Sequence, residues 1–441
     1  MTEPAFVARL RAAGTLRRHH SALIALGLGV NALYWLTRVG VEWFIQGLFF
    51  RLGVDWSRFW GAARAFVTVS PAAAYSLSAI AQQMHPIAAY YGTTIGFMAS
   101  SHKIGLAQLQ IGPAPYPPIF LAIFWLFTLP PAPVGFLLWT LLNGAIGLYV
   151  IIRLTQRFGQ GMSWRILLPL VSFFPFLTGL HDGQLVNLLL GAFFLGYVSL
   201  ERNEDLRAGF WFGVLWFKPQ YAPVLFLVLI YKRRWPAVLG MLATGCLIVL
   251  TSLAVGGLGG IIGYVKMLLT DYPSFIGGVA IDPTQMISWR ALVVNVLPNA
   301  TALGLALTAL LSILSLAILV PIWRGDWEPQ SPRFAAQMLA TMIVTMLVAY
   351  HSQLHGLVLC MVPGAILLAS RQAPATIWRL LPWILFAPPI LDGISVAAFG
   401  NQNLVSLMFL IAMVVALFAL YLRRDEPIAA KRNASRSLAG T

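Results

Sequence analysis

Apolar runs of bilayer length recur along almost the whole chain, from residue 21 to residue 422, and a chain patterned in this way can only be buried in lipid. A hydrocarbon core about 30 Å thick needs about 20 apolar residues per helical crossing and leaves no water to pair an exposed backbone, so the crossings must be α-helices. Apolar length and helix breakers place spans near 21–45, 133–152, 164–179, 183–200, 206–217, 220–231, 235–255, 300–322, 333–349, 355–370, 376–392 and 403–421. The expectation is an all-α, polytopic integral membrane protein of about 12 transmembrane helices. A mean hydropathy of +0.79 with 10% charged residues excludes an ordinary soluble globule. Basic residues precede the first run as they would a signal peptide. No small-residue cleavage site follows, and the run is read as a retained helix.

The formal net charge of +15 would suit a nucleic-acid binder, so its distribution decides. With both ends in the cytoplasm, most of the 29 Lys and Arg residues fall on the inner side, Arg153, Arg157, Arg202, Arg207, Lys232, Arg233, Arg234, Arg324 and Arg333 among them. The positive-inside rule accounts for the charge, the inner faces meet membrane lipid, and no basic domain is left for nucleic acid. Residues 1–422 then form a single transmembrane catalytic domain, and 423–441, rich in Ala, Arg and Ser, form a disordered cytoplasmic tail. Two long connections face outward: 46–132, and the Gly- and Pro-rich 256–299, a mobile lid or acceptor loop. Inside the first, YPPIFLAIFWLF (116–127) is apolar but fenced by Pro117-Pro118 and Pro130-Pro131. Counting it as a crossing would invert every later loop, so a re-entrant or interfacial segment is expected.

The scarcity of acid narrows the search for chemistry. Asp55 opens DWSRFWGAARAF at the outer end of the first apolar stretch, with Arg58 and Arg64 close behind. A carboxylate there is a candidate general base beside a phosphate site, or else a solvated loop residue. Arg38 and Glu42, four apart, suit a structural ion pair. The outer side also carries Asp271, Asp282, Asp392, His85 and His102. LHDGQLVN sets His181, Asp182 and Gln184 in a tight outer turn, where Asp182 serves chemistry or caps the next helix. FKPQ (217–220) joins two short spans, so Lys218 and Gln220 sit at or just below the surface; the ammonium either meets an anion or snorkels to headgroups. YHSQLHG places His351 and His355 four apart at another outer turn, and Arg58, Arg64, Lys218 and Arg290 show no obvious local partner in the sequence. Cys246 and Cys360 lie in apolar spans and suggest packing rather than a disulfide. No nucleotide cradle or HExxH is present; no cofactor or metal is expected, with a divalent cation left open.

The order of DWSRFWGAAR, YPP before a short apolar run, GQLVN, AGFWFGVLWFKPQ and YKRRW resembles glycosyltransferase family 87. The likeness runs from about residue 50 to 240 and thins toward 360. The resemblance implies a C-type glycosyltransferase fold and a polyprenyl-phosphate sugar donor, mannose or another hexose, used outside the cytoplasm of a bacterial inner membrane. It also implies a lipid or glycan acceptor, Asp55 as catalytic base, and Lys218 with the GQ and histidine loops lining the donor site. The chain departs from the pattern at Tyr75-Ser76, where relatives often have Tyr-Asp, and at His355-Gly356-Leu357, where they often carry an aspartate shortly after the histidine loop. Charge logic gives the same chemistry. A lipid-linked sugar phosphate leaves as a phosphate monoester, so cations such as Lys218 and Arg58 are needed on one face of the sugar and a base such as Asp55 on the other. A lipid transporter or flippase is the rival; it would more often show internal repeats and midplane charges.

Overall fold

The computed structural model describes residues 25–37, 54–84, 114–157, 164–270, 286–297 and 301–369, with a few isolated positions besides. Every regular element among them is helical and no strand occurs. The elements are α1 (Ala25–Thr37), α2 (Val54–Thr68), α3 (Pro118–Phe124), α4 (Ala132–Gln156), α5 (Trp164–Val171), α6 (Phe174–His181), α7 (Val186–Glu201), α8 (Asp205–Gly213), α9 (Pro223–Tyr231), α10 (Trp235–Thr270), α11 (Trp289–Val296), α12 (Thr301–Ile322), α13 (Pro332–Val348) and α14 (Met361–Ala369). The Arg38–Glu42 pair, His85, His102, Asp271, Asp282, Asp392, the two spans expected over 376–392 and 403–421, and the tail lie outside the described residues.

Three of the described helices, α4, α10 and α12, are long and apolar enough to cross a membrane by length and composition. Helix α4 shows why. Its exposed Val134, Leu137, Leu138, Leu141, Leu142 and Leu148 follow a three-to-four spacing, and its buried Phe136, Trp139, Gly147, Val150, Ile151 and Leu154 follow the same spacing on the opposite side. One face therefore meets lipid while the other meets the bundle. The remaining apolar helices are shorter and pack as broken pairs. The stretch read as one span at 164–179 is two helices, because Phe173 is extended (φ −60°, ψ 116°) and Pro175 stands in the first turn of α6. Likewise α3 with the 3-10 turn Trp125–Thr128 is too short to span alone at 1.5–2.0 Å per residue, and it packs on α2 and α10.

Helix α10 corrects a second expectation. The connection read as an outer loop from 256 to 299 is helical as far as Thr270, and 289–296 form α11. The glycine run Gly256-Gly257-Leu258-Gly259-Gly260 is where one helix ends and a second begins across a kink: Gly257 adopts φ 59°, ψ −174°, which only glycine tolerates. Its neighbour Gly256 allows close approach, since a Cβ there would lie 2.8 Å from the Pro118 ring. The run thus seats the start of α3 against α10.

Charge separates the two ends of the bundle. Helix α7 starts just after Gln184 and ends at Glu201, a rise of about 24 Å at 1.5 Å per residue. At the Glu201 end, Arg157 pairs with Glu201, Arg234 with Asp205, and Arg207 with Glu204 at 3.1 Å. Lys232 donates there to the Trp323 and Gly325 carbonyls, at 3.1 and 2.6 Å. The 3-10 helices at Val214–Phe217 and Pro219–Tyr221 lie at the opposite end, and Lys218 lies between them.

Candidate active site

The site begins with a helix start pinned to a helix end. Asp55 lies in the first turn of α2, where the helix dipole favours a carboxylate. The N–H groups of Asp55 and Trp56, free of intrahelical partners, donate to the Asp182 carbonyl at 3.0 and 3.2 Å. That carbonyl is positioned by a Schellman turn closing α6: Gly183 N–H donates to Leu180 O at 3.2 Å, and Gln184 N–H reaches back to Gly179 O at 2.9 Å. Gly183 supplies the left-handed residue (φ +70°), and a Cβ on it would fall 2.5 Å from Trp56 Cβ. Trp139 Nε1 on α4 locks the turn by donating to Gly183 O at 2.8 Å.

The side chains then converge on Gln184. Its amide nitrogen donates to Asp55 Oδ2, and its Oε1 accepts from Lys218 Nζ and from the Tyr116 hydroxyl, each at 3.0 Å. The Lys218 ammonium also lies 3.0 Å from His355 Nε2. His355 Nδ1 faces Asp182 Oδ2 at 3.8 Å, and His181 Nδ1 lies 2.8 Å from Asp182 Oδ1. Arg58 Nη1 bonds Asp55 Oδ1 at 3.1 Å, one turn along α2. Lys218 is held at its position by its neighbour. Pro219 disfavours helical backbone at the preceding residue, so Lys218 is extended (φ −121°, ψ 84°) and the chain turns there.

Burial sets the electrostatics. Asp55, Gln184, Lys218 and His355 are buried, at 7%, 5%, 3% and 2% exposure, while Arg58 and Asp182 form the partly open rim. Burial pulls the Lys218 ammonium down to about 8, against the opposing pull of Asp55 and Asp182. For Asp182 burial works the other way, yet the His181 and His355 contacts outweigh it and hold the carboxyl well below its usual range. His351 is pushed well below its ordinary value, first by burial and then by Lys218, His355, Arg290 and Arg58, so it stays neutral.

Of the residues singled out by sequence, Asp55, Arg58, Asp182, Gln184, Lys218 and His355 meet in one bonded cluster. Arg290 sits beside it, with its guanidinium 4.1 Å from the Tyr350 ring and 3.3 Å from the Tyr350 carbonyl oxygen. Arg64 lies over the Trp60 ring, 4.8 Å from its centroid, outside the bonded cluster. Gln220 is half-buried and likewise lies outside the bonded cluster. Sequence reasoning passed over Tyr116 and Tyr221. Tyr116 opens YPP, Tyr221 follows FKPQ, and the Tyr221 ring lies 5.3 Å from Lys218 Nζ.

Asp55, Asp182 and His355 also bring one possible ligand atom each to within 4.8 Å of one another. Two protein cations already stand against this group, Lys218 on His355 and Arg58 on Asp55. These two cations balance the two carboxylates of the set, so a divalent ion bound here would leave it in net positive excess.

No curated protein and no solved structure matches the chain. The sequence profile of glycosyltransferase family 87 does match, over residues 115–350. That stretch contains Tyr116, Asp182, Gln184, Lys218, Gln220 and Arg290, while Asp55 and His355 lie outside it and are tied to it by the bonds above. The match covers more than half of the 441 residues, and with it the all-helical, lipid-facing bundle has its explanation: the chain belongs to glycosyltransferase family 87 and is a membrane glycosyltransferase.

Proposed function

We propose that the protein transfers a sugar, mannose or another hexose, from a polyprenyl-phosphate donor to a lipid or glycan acceptor. The reaction takes place on the outer face of a bacterial inner membrane, within a C-type fold of about 12 spans. The observation that carries this reading is the buried chain of bonds from Asp55 through Gln184 to Lys218, at the end of the bundle opposite the basic cluster. It joins a proton acceptor to a cation in a site from which water is largely excluded. The acceptor hydroxyl attacks the anomeric carbon, its proton passes to the Asp55 carboxylate, and the C–O bond to the phosphate breaks. Polyprenyl phosphate leaves with that electron pair, its charge met by Lys218, and the anomeric configuration inverts.

Two hydrogen bonds and one amide hold the Asp55 carboxylate within about 8 Å of the Lys218 ammonium. An in-line displacement puts base and leaving group on opposite faces of a sugar, so the donor phosphate must replace Gln184 as the partner of Lys218. The bridge is the resting arrangement, keeping both buried charges paired until substrate arrives.

Purified protein in detergent, supplied with a panel of polyprenyl-phosphate sugars, should release polyprenyl phosphate and form an inverted glycoside. Turnover of nucleotide sugars alone would remove the proposed donor. Orientation is tested separately, with Cys246 and Cys360 replaced. Ser57→Cys and Gln220→Cys should react with an impermeant maleimide in intact cells, and Glu204→Cys should not; labelling of Glu204→Cys alone would overturn the topology.

A further inference from the structure

At the end of the bundle away from the active site, a cleft of about 840 Å³ opens between the last turns of α4 and α7. Its walls carry Arg153, Arg157, Arg202 and Arg207 against the single carboxylate of Glu201, with Tyr149 on the side toward the membrane. Lys or Arg at a helix C-terminus is favoured by the dipole, which accounts for Arg153 or Arg202 taken singly. It does not account for four guanidinium groups turned into one concavity. Arg157 is paired to Glu201 and Arg207 to Glu204, and those two contacts shape the walls while leaving the lining in net positive excess.

The surface leading to the cleft is apolar. Leu141, Leu148 and Tyr149 are exposed along α4, on the face that meets lipid, and Tyr149 packs edge-on against Phe194 at 6.4 Å. A ligand that suits both parts carries a phosphate for the guanidinium groups and hydrocarbon for the rail of α4. Guanidinium forks match phosphate oxygens two at a time, and an aromatic ring at the boundary suits the level where headgroup meets chain. We infer that this cleft is a specific site for a phosphate group, supplied by the headgroup of an anionic phospholipid whose acyl chains lie along α4. It is distinct from the Asp55 cluster, and it does not depend on the reading of the donor.

The test is the thermal midpoint of the full-length protein in neutral detergent, titrated with phosphatidylglycerol, phosphatidylcholine or inorganic phosphate. Phosphatidylglycerol should raise the midpoint and phosphatidylcholine should not. Arg153→Gln with Arg202→Gln should weaken the apparent phosphatidylglycerol affinity about 10-fold or more, whereas Arg233→Gln, at the same end but outside the cleft, should leave it unchanged. Equal weakening in all variants would reduce the cleft to general surface charge and overturn the inference. Equal protection by inorganic phosphate, lost in the paired variant, would keep the phosphate site and remove the lipid as its source. If the paired variant does not fold, Arg202→Gln alone is compared with Arg233→Gln by native mass spectrometry of retained phosphatidylglycerol, and equal retention overturns the proposal.

Discussion

The backbone N–H of Asp55 donates to the Asp182 carbonyl at 3.0 Å, so the first residue of the candidate cluster is placed by a turn far away in sequence. Two helices meet end to start at this bond, and the geometry of the turn at Gly183 decides where the Asp55 carboxylate points.

Gly183→Ala should therefore harm activity more than folding. The new methyl would sit 2.5 Å from Trp56 Cβ at a backbone conformation (φ +70°) that alanine disfavours by about 1 kcal/mol or more. The chain can yield only by moving α2 away from the turn, and a shift of about 1 Å at a reacting group costs on the order of 100-fold. Transfer should fall by about that factor in protein that still elutes as a monodisperse peak with a midpoint lowered by a few degrees. Unchanged transfer would mean that this junction does not position the base.

Asp55→Asn separates an enzyme from a binder. Asparagine keeps the shape and can still bond Gln184, but it accepts no proton from the incoming hydroxyl, so turnover should fall by about 100-fold or more while donor binding changes only a few-fold. Near-normal turnover in folded protein would move the base to another group, with Asp182 the nearest carboxylate.

The helical, lipid-embedded class was legible from the apolar runs, and so was a set of polar groups that had little reason to be near the outer turns unless they did something. Asp55, Gln184 and Lys218 were visible in this way because each interrupts apolar surroundings. The partners between them were less legible. Gln184 also accepts from Tyr116, which comes from the start of α3, and Gly256 lets that start press against α10. A glycine run at the end of an apolar stretch looks like a loop opening in one dimension. Here one helix breaks at Gly257 and a second runs on to Thr270, with Pro118 from another element packed against Gly256. Arg64, whose charge suggested a ligand, lies over the Trp60 ring, a cation–π contact that the sequence did not announce.

The pH profile should carry the signature of Lys218. Burial brings its ammonium down to about 8, so the free enzyme holds the cation below that pH and loses it as the pH rises through it. If the ammonium binds the donor phosphate, kcat/KM for the donor should fall above about pH 8, and Lys218→Arg, if active, should move that limb upward. Stability should move the other way. The folded group titrates near 8 and the unfolded one near 10.5, so the cost of burying the cation is present below 8 and relieved between 8 and 10.5. A loss of kcat/KM over that window with no loss of thermal midpoint therefore reports on the site rather than on unfolding. A flat profile up to pH 9.5 would remove the ammonium from donor binding.

Chelation should leave transfer within a few-fold of its starting rate. The atoms of Asp55, Asp182 and His355 that approach within 4.8 Å already face Lys218 and Arg58, which supply the positive charge a divalent ion would otherwise bring. Measuring turnover after exhaustive treatment with EDTA, and again after adding back Mg²⁺ or Mn²⁺, decides the matter. Abolished activity restored by metal would make the cluster a metal centre.

Replacing the bridge itself gives a sharper contrast. Gln184→Met keeps much of the volume but removes three hydrogen bonds, from Lys218, from Tyr116 and to Asp55, while Lys218 keeps His355 and Asp55 keeps Arg58. Each lost hydrogen bond costs about 0.5–1.5 kcal/mol, so the thermal midpoint should drop. If the donor phosphate takes over Lys218 from Gln184, donor binding should survive the change within a few-fold, because the lost bond is one the complex no longer uses. Turnover should still fall, since Asp55 loses the amide that orients it. Lys218→Ala should show the reverse emphasis, with donor affinity falling first because the cation meets the phosphate in both ground and transition states. Equilibrium binding of a non-transferable polyprenyl phosphonate sugar, set beside single-turnover rates, separates the two patterns. Gln184→Met losing donor affinity as severely as Lys218→Ala would place the amide among the donor's own contacts and end its role as a resting bridge.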